Sequence, residues 1–228
     1  MHVDISDPMG FNIPPSLATN RNMIKIWGRK NSINVQKVLW CCAELKIPHE
    51  RVDAGIKPGD IDTSAYRALN PNGLVPTIED GKFVLWESNA IVRYLTSKYG
   101  SASIWPADLE TRASADRWMD WHMSTLWTHM RPMFVQLVRS LPEQRDQNII
   151  NAAHEKTLAA LMILDAHLSA NHYVAGAMFT IGDIPVGAAT HRWMSMPIER
   201  PALPHLNAWY ARLAGREAYK QHIMLPMS

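Results

Sequence analysis

Polar and apolar positions alternate over residues 23–27, the period of a half-buried strand. From Ser32 the apolar set Val35, Val38, Leu39, Cys42 and Leu45 follows helical spacing. Residues 49–52 predict a second short strand, residues 55–62 a loop and residues 64–69 a brief helix. A third strand starts at Val75-Pro76-Thr77-Ile78, and Asp80-Gly81, a familiar turn pair, joins it to the apolar run Phe83-Val84-Leu85-Trp86. Phe83 reads as a core position of that hairpin, the more ordinary assignment, or as an exposed apolar knob for docking a second subunit. Helical spacing then resumes with Ile91, Tyr94 and Leu95 on one stripe. The order over residues 23–100 is βαβαββα, an α/β domain.

Residues 101–107, after Gly100, interrupt the pattern with Ser101, Ser103 and Pro106 and predict a linker. Beyond them almost everything reads as helical, an all-α domain over residues 108–228. One long helix is expected over 108–140, free of proline until Pro132, a second over 143–170, and shorter ones from Asp183 and from His205. Thr180-Ile181-Gly182-Asp183 has the form of a capping box, in which the threonine hydroxyl caps the Asp183 N–H and the acid reaches back.

Composition narrows the function classes. With 228 residues and 47% hydrophobic content the chain can build ordinary cores. A net charge of +2, with 23 basic residues scattered along the chain, offers no stripe for nucleic acid. The two cysteines, Cys41 and Cys42, are adjacent in a helix, so no disulfide framework exists and a reducing compartment is implied. Residues 1–22 form a proline-bearing arm without an apolar stretch of signal-peptide length, and no window approaches about 18 apolar residues. The expectation is a cytoplasmic protein without membrane or nucleic-acid partners. Ten histidines show neither a His-Glu-x-x-His pattern nor a Cys/His cluster, so no metal site is expected.

The segment from Leu69 to Thr77, followed by Glu87-Ser88, carries the chemistry. Proline cannot donate to a ladder, so Pro76 at the start of a strand predicts a cis Val75-Pro76 turn. Such a turn leaves the N–H and C=O of Val75 free to pair with an extended peptide. Glu87 and Ser88 open a helix, where free N–H groups and the dipole attract a carboxylate while the Glu87 side chain takes an ammonium. That end of the helix suits an amino-acid headgroup.

Val75-Pro76 before a strand and Glu87-Ser88 opening a helix resemble the glutathione site of the glutathione transferase family. The likeness is strong from Ile24 to Tyr99 and weaker beyond, where the Thr180–Asp183 box extends it. It implies a thioredoxin-like α/β domain followed by an all-α domain, with glutathione as co-substrate. Val75 is then implied to pair with the cysteinyl backbone and Glu87 and Ser88 to grip the γ-glutamyl end, with Leu74 and Pro76 flanking. Ser32-x-Asn34, in the loop of residues 28–34, resembles the serine-type bacterial branches related to the theta and nu classes.

Ser32 by its O–H and Asn34 by its amide N–H are the candidates for stabilising the thiolate. Ser32 also reads simply as the N-cap of the first helix. For the glycyl carboxylate, Arg29, Arg51 and Lys57 are candidates. Trp118, Trp121, His122 and Thr125 share a helical face, with Trp127 opposite. That face reads either as packed core or as a pocket for flat apolar electrophiles. The resemblance implies a homodimer and a detoxifying transferase acting on a small electrophile. Glutathione-dependent reduction of disulfides or peroxides, isomerisation, and a non-catalytic binding module are the alternatives.

Overall fold

Strand β1 (Ile24–Trp27) buries Ile24 and Ile26 and leaves Lys25 and Trp27 partly exposed, as its alternation predicts. The computed structural model describes residues 23–57, 59–100 and 104–227. The predicted arm, residues 1–22, and residues 101–103 of the predicted linker lie outside the described residues. β1 pairs in parallel with β2 (His49–Val52) and antiparallel with β3 (Thr77–Asp80), which pairs antiparallel with β4 (Phe83–Trp86). The sheet order is β2-β1-β3-β4.

Helices α1 (Ile33–Glu44), α2 (Ser64–Leu69) and α3 (Ser88–Tyr99) complete the domain. The turn at Asp80 is tied to α3: its buried carboxylate accepts from Lys98 Nζ and from the hydroxyls of Tyr94 and Tyr99, each at 2.7 Å. Phe83 is 47% exposed and rests against the Tyr94 ring. It is therefore a surface position of the edge strand β4 and not part of the hairpin core.

Where one helix was expected over residues 108–140, the chain runs α4 (Leu109–Trp121), a wide π turn (His122–Leu126), α5 (Trp127–Phe134) and a second π turn (Val135–Arg139). The wide turn rotates α5 relative to the face of α4. The Trp127 N–H bonds back to the His122 carbonyl, five residues earlier, and the two rings stack at 6.5 Å with 14° between planes. Trp127 thus joins the face of His122 instead of lying opposite. Trp118 and His122 are buried, and Trp118 packs edge-on against Trp121 at 4.9 Å. This aromatic group belongs to the core.

Helix α6 (Gln147–Leu168) begins later than expected, because Asp146 caps it by accepting the N–H groups of Asn148 and Ile149. Pro142–Gln144 forms a separate 3-10 turn. The remaining helices are α7 (Asp183–Ser195), α8 (Pro204–Ala214) and α9 (Glu217–His222).

α1 is buried almost all round because it packs on α3 in its own domain and on α7 and α9 in the other. Trp40 meets the rings of Phe179 and Tyr219 at 5.4 and 4.8 Å. It also lies over Gly187, where an added Cβ would come within 2.6 Å of Leu213 Cδ1 and 3.3 Å of Trp40 itself. The interface is pinned at its edges by Arg216, bidentate on Glu44 at 2.7 Å, and by Arg93 on Asp116 and Asp120 at 2.6 Å.

Asp183 organises the helical domain. It is fully buried and accepts from the Thr180 and Val174 N–H groups, the Trp209 indole and the Thr180 hydroxyl. The acid reaches back as a capping box requires, but the threonine hydroxyl donates to the carboxylate, and the Asp183 N–H goes to the Thr180 carbonyl at 3.0 Å. Burial pushes this carboxyl up to about 6 although every one of those bonds holds it down.

Replacing Asp183 by Ala strands three buried N–H donors, at a cost of about 1–3 kcal/mol each. Urea unfolding is expected to show Asp183→Ala less stable by about 3 kcal/mol or more. Asp183→Asn, which keeps an acceptor oxygen, loses less. A midpoint for the alanine variant equal to wild type contradicts the role assigned to this carboxylate.

Candidate active site

Residues 70–77 form a turn held from beneath by two side chains. Asn70, 2% exposed, donates from Nδ2 to the Leu74 carbonyl at 2.8 Å and to Thr77 Oγ1 at 3.2 Å. Its Oδ1 accepts the Asn72 N–H at 3.0 Å and the Asn72 side-chain amide at 3.1 Å. Tyr66 on α2 adds its hydroxyl to the Leu74 carbonyl at 2.8 Å. The Leu74 carbonyl thus receives two donors and the turn has one shape.

The Val75-Pro76 peptide is cis, and β3 joins the ladder only at Thr77, opposite Trp27. Neither backbone group of Val75 takes a partner among the described residues. Residues 74–76 are therefore an open, strand-like edge with polar groups available to a ligand.

Glu87 closes the other side. It has φ 72°, a left-handed conformation that costs a side-chain-bearing residue on the order of 1–3 kcal/mol. Its carbonyl accepts the Ile91 N–H at 2.9 Å, so strain is held where α3 begins. Ser88, the first residue of α3, is buried.

Asn34, Leu74, Val75, Pro76, Glu87 and Ser88 line one narrow cleft, together with Asn70 and Asn72. Ser32 does not line it. It sits at the N-cap position of α1 but its side chain makes no capping bond, so the simple N-cap reading is not what the hydroxyl does. The first loop comes close to the cleft because residue 28 is glycine: a Cβ there would lie 2.3 Å from Val35 Cγ2 and 3.3 Å from Val75 Cβ.

Behind the cleft lies a cation that sequence reasoning passed over. Lys37 is fully buried, with Nζ donating to Asn89 Oδ1 at 3.1 Å, while Asn89 donates to the Met119 carbonyl of α4 at 3.1 Å. Burial lowers its pKa to about 7, and the Glu87 charge partly opposes that drop. The signal was present as the one charge in the apolar face of residues 35–42. His122 lies in the same region, held neutral by burial and by Lys37, with both ring nitrogens unpaired among the described residues.

A larger cavity, about 610 Å³, opens next to the cleft, between the first loop, the loop after β2, the end of the second π turn and the C-terminal tail. Arg29, Lys30, Ile56, Arg139, Leu225 and Pro226 are among its walls. A Cβ on Gly55, in one of those walls, would be 3.5 Å from Val75 Cγ1, so cavity and cleft are neighbours. This pocket lies between the two domains, and it is not lined by Trp118, Trp121, His122 or Thr125. Arg139 and the tail were not legible as wall residues, since only tertiary packing brings them here.

Of the three cations considered for a carboxylate, Arg51 is engaged with the Gly28 carbonyl at 2.8 Å and with Asp53. Arg29 donates to the Gly55 carbonyl at 3.1 Å and lines the larger cavity, and Lys57 is exposed. None of the three lines the narrow cleft. Cys41 and Cys42 are buried in α1, where desolvation raises both thiols, Cys42 to about 12. Among the described residues no helix is long and apolar enough to cross a membrane, and no group of three or more His, Cys, Asp or Glu side chains could hold a metal.

Residues 31–98 match the glutathione S-transferase N-terminal domain family, and residues 118–217 match the glutathione S-transferase C-terminal domain family. The chain is 39% identical over 208 residues to glutathione S-transferase GstB of Escherichia coli (strain K12), covering 90% of this chain and 100% of that one. It is 31% identical over 212 residues to glutathione S-transferase 3 of Zea mays, covering 88% and 93% of the two chains. Among solved structures, the theta class glutathione S-transferase from the citrus canker pathogen Xanthomonas axonopodis pv. citri, with glutathione bound, superposes with a TM-score of 0.87 at 48% identity over 90% of this chain and 99% of that one.

The buried amine sets a pH dependence. Lys37 releases its proton near pH 7 when folded and near its ordinary 10.5 when unfolded, so between these values the unfolded state binds more protons and stability rises with pH. The slope is at most about 1.4 kcal/mol per pH unit. Denaturant unfolding from pH 7 to 10 is expected to show this rising component in wild type and to lose it in Lys37→Met. A slope identical in both proteins contradicts it.

Proposed function

The chain belongs to the glutathione S-transferase family and is an enzyme with glutathione as co-substrate; on that premise we propose how its own residues bind the tripeptide and activate its sulfur. Residues 74–76 pair with the cysteinyl backbone through the N–H and C=O of Val75, with Leu74 and Pro76 shaping the edge. Glu87 takes the γ-glutamyl ammonium, and Ser88 with the free N–H groups of α3 takes its carboxylate. Ser32 and Asn34 hold the thiolate. The observation that carries this reading is the single cleft that combines the unpaired Val75 backbone with Asn34, Glu87 and Ser88.

Free thiols titrate near ~8.5, and lowering that to about 6.5–7 takes about 2–3 kcal/mol of stabilisation selective for the thiolate. An O–H from Ser32, an amide N–H from Asn34 and the N-terminal end of α1 together supply that amount. The thiolate then attacks an electrophilic carbon. The C–S bond forms, and the leaving group departs with its electron pair. Proximity in a shared site contributes much of the rate.

The first loop has no cysteine and the two buried thiols are held protonated, which supports glutathione as the sole sulfur nucleophile. Ile56, Leu225 and Pro226 give the neighbouring cavity an apolar wall, in keeping with a substrate that has an apolar or aromatic body. We take the enzyme to work in the cytoplasm as a homodimer, an assembly that would cover the exposed Phe83 and Trp86 of β4.

Ultraviolet titration of bound glutathione tests the activation step. The wild-type complex is expected to ionise at least about one pH unit below free thiol, and Ser32→Ala or Asn34→Ala to remove most of that shift. An unshifted thiol in the wild-type complex overturns the mechanism.

A further inference from the structure

The cavity beside the first loop is cationic. Its walls include Arg29, Lys30 and Arg139 but one acid, Asp53, which is already paired with Arg51. A fourth cation stands behind Asn31: Arg192 of α7, 3% exposed, donates from Nη2 to the Asn31 carbonyl at 3.0 Å. Its Nε and Nη1 are buried without a partner among the described residues. The Arg192 guanidinium lies 4.5 Å over the Phe134 ring, and that of Arg139 is 5.3 Å from the same ring. No carboxylate pairs with Arg29, Lys30, Arg139 or Arg192 among the described residues.

Like charges gathered around an open cavity, one of them buried with idle donors, are unfavourable unless an anion joins them. The strain is visible in Arg192, whose pKa falls to about 10 through burial and the charges of Arg139 and Arg29. Burial and the charges of Arg29 and Arg131 likewise lower Arg139. The volume suits a small molecule.

We propose that this cavity selects electrophiles bearing a carboxylate, held at Arg139 in the field of Arg192, with the apolar body against Ile56, Leu225 and Pro226. The inference rests on the transferase reading and adds the substrate class to it. The same arginines could instead serve the glycyl carboxylate of glutathione, and the test separates the two sources.

The probes are 4-chloro-3-nitrobenzoate and its neutral analogue 4-chloro-3-nitrobenzamide. In each, the glutathione thiolate adds to the chlorine-bearing carbon, the C–S bond forms and chloride leaves with its electron pair. Rates are divided by the uncatalysed reaction with glutathione, which removes the intrinsic difference in reactivity. The wild-type kcat/KM is expected to favour the benzoate by about tenfold, as one charge-assisted contact allows, and Arg139→Gln and Arg192→Gln to erase most of that ratio. Lys82→Gln, on the turn between β3 and β4, leaves the ratio as it was.

Unreactive 3-nitrobenzoate is expected to bind more tightly than 3-nitrobenzamide in calorimetry with glutathione present, and to compete with the electrophile but not with glutathione. This readout stands even if neither chloride is turned over. Absence of a charge preference in both rate and binding overturns the inference, as does a preference that survives both arginine substitutions. An effect confined to the KM for glutathione assigns the arginines to the glycyl end and overturns it too. In each case turnover of the benzamide tells separately whether the transferase reading holds.

Discussion

The buried amide of Asn70 commits both of its N–H groups to Leu74 and Thr77 and its oxygen to Asn72, and with Tyr66 it fixes the Leu74 carbonyl just before the sheet begins. Each such bond contributes only about 1 kcal/mol net, but leaving the buried amide unpaired would cost more than any one of them gains. The network therefore has one satisfied arrangement. In that arrangement the chain passes Val75 without pairing it and joins β1 at Thr77. The open edge, the cleft beside α3 and the proposed grip on glutathione all depend on where that turn is held.

The second domain completes the site from behind. α1 is buried on nearly every side, with Trp40 over Gly187 and Glu44 clasped by Arg216, so its N-terminal end cannot drift relative to α7. Arg192 reaches from α7 to the Asn31 carbonyl and anchors the first loop. Lys37 links α1 through Asn89 to α4. Catalytic geometry of this kind tolerates errors of well under 1 Å, and rigid helices supply that better than loops.

Local chemistry was legible in the sequence. Pro76 at a strand start, Asp80-Gly81 between apolar runs and Glu87-Ser88 at a helix opening each carry their meaning in neighbouring residues. The βαβαββα order of the first domain and the helical second domain followed from periodicity. The features that stayed hidden depend on distance along the chain. Arg192 and Asn31 are 161 residues apart, and no spacing rule connects them. The π turns at His122–Leu126 and Val135–Arg139 leave no mark in the helical spacing, which therefore places Trp127 on the wrong face. Asn70 lies within the Leu69–Thr77 segment, but its role depends on the positions of Tyr66 and Thr77. Lys37 showed a trace, a charge in an apolar stripe, which gains meaning only once the second domain covers it.

Amide hydrogen exchange of Val75, read by nuclear magnetic resonance with and without saturating glutathione, tests most directly whether the free backbone edge is the peptide-binding element. Unpaired in the free protein, this N–H is predicted to exchange fast and to slow by about tenfold or more when glutathione occupies the edge. The same fast exchange in the complex, with glutathione demonstrably bound, would contradict the account and move the ligand elsewhere.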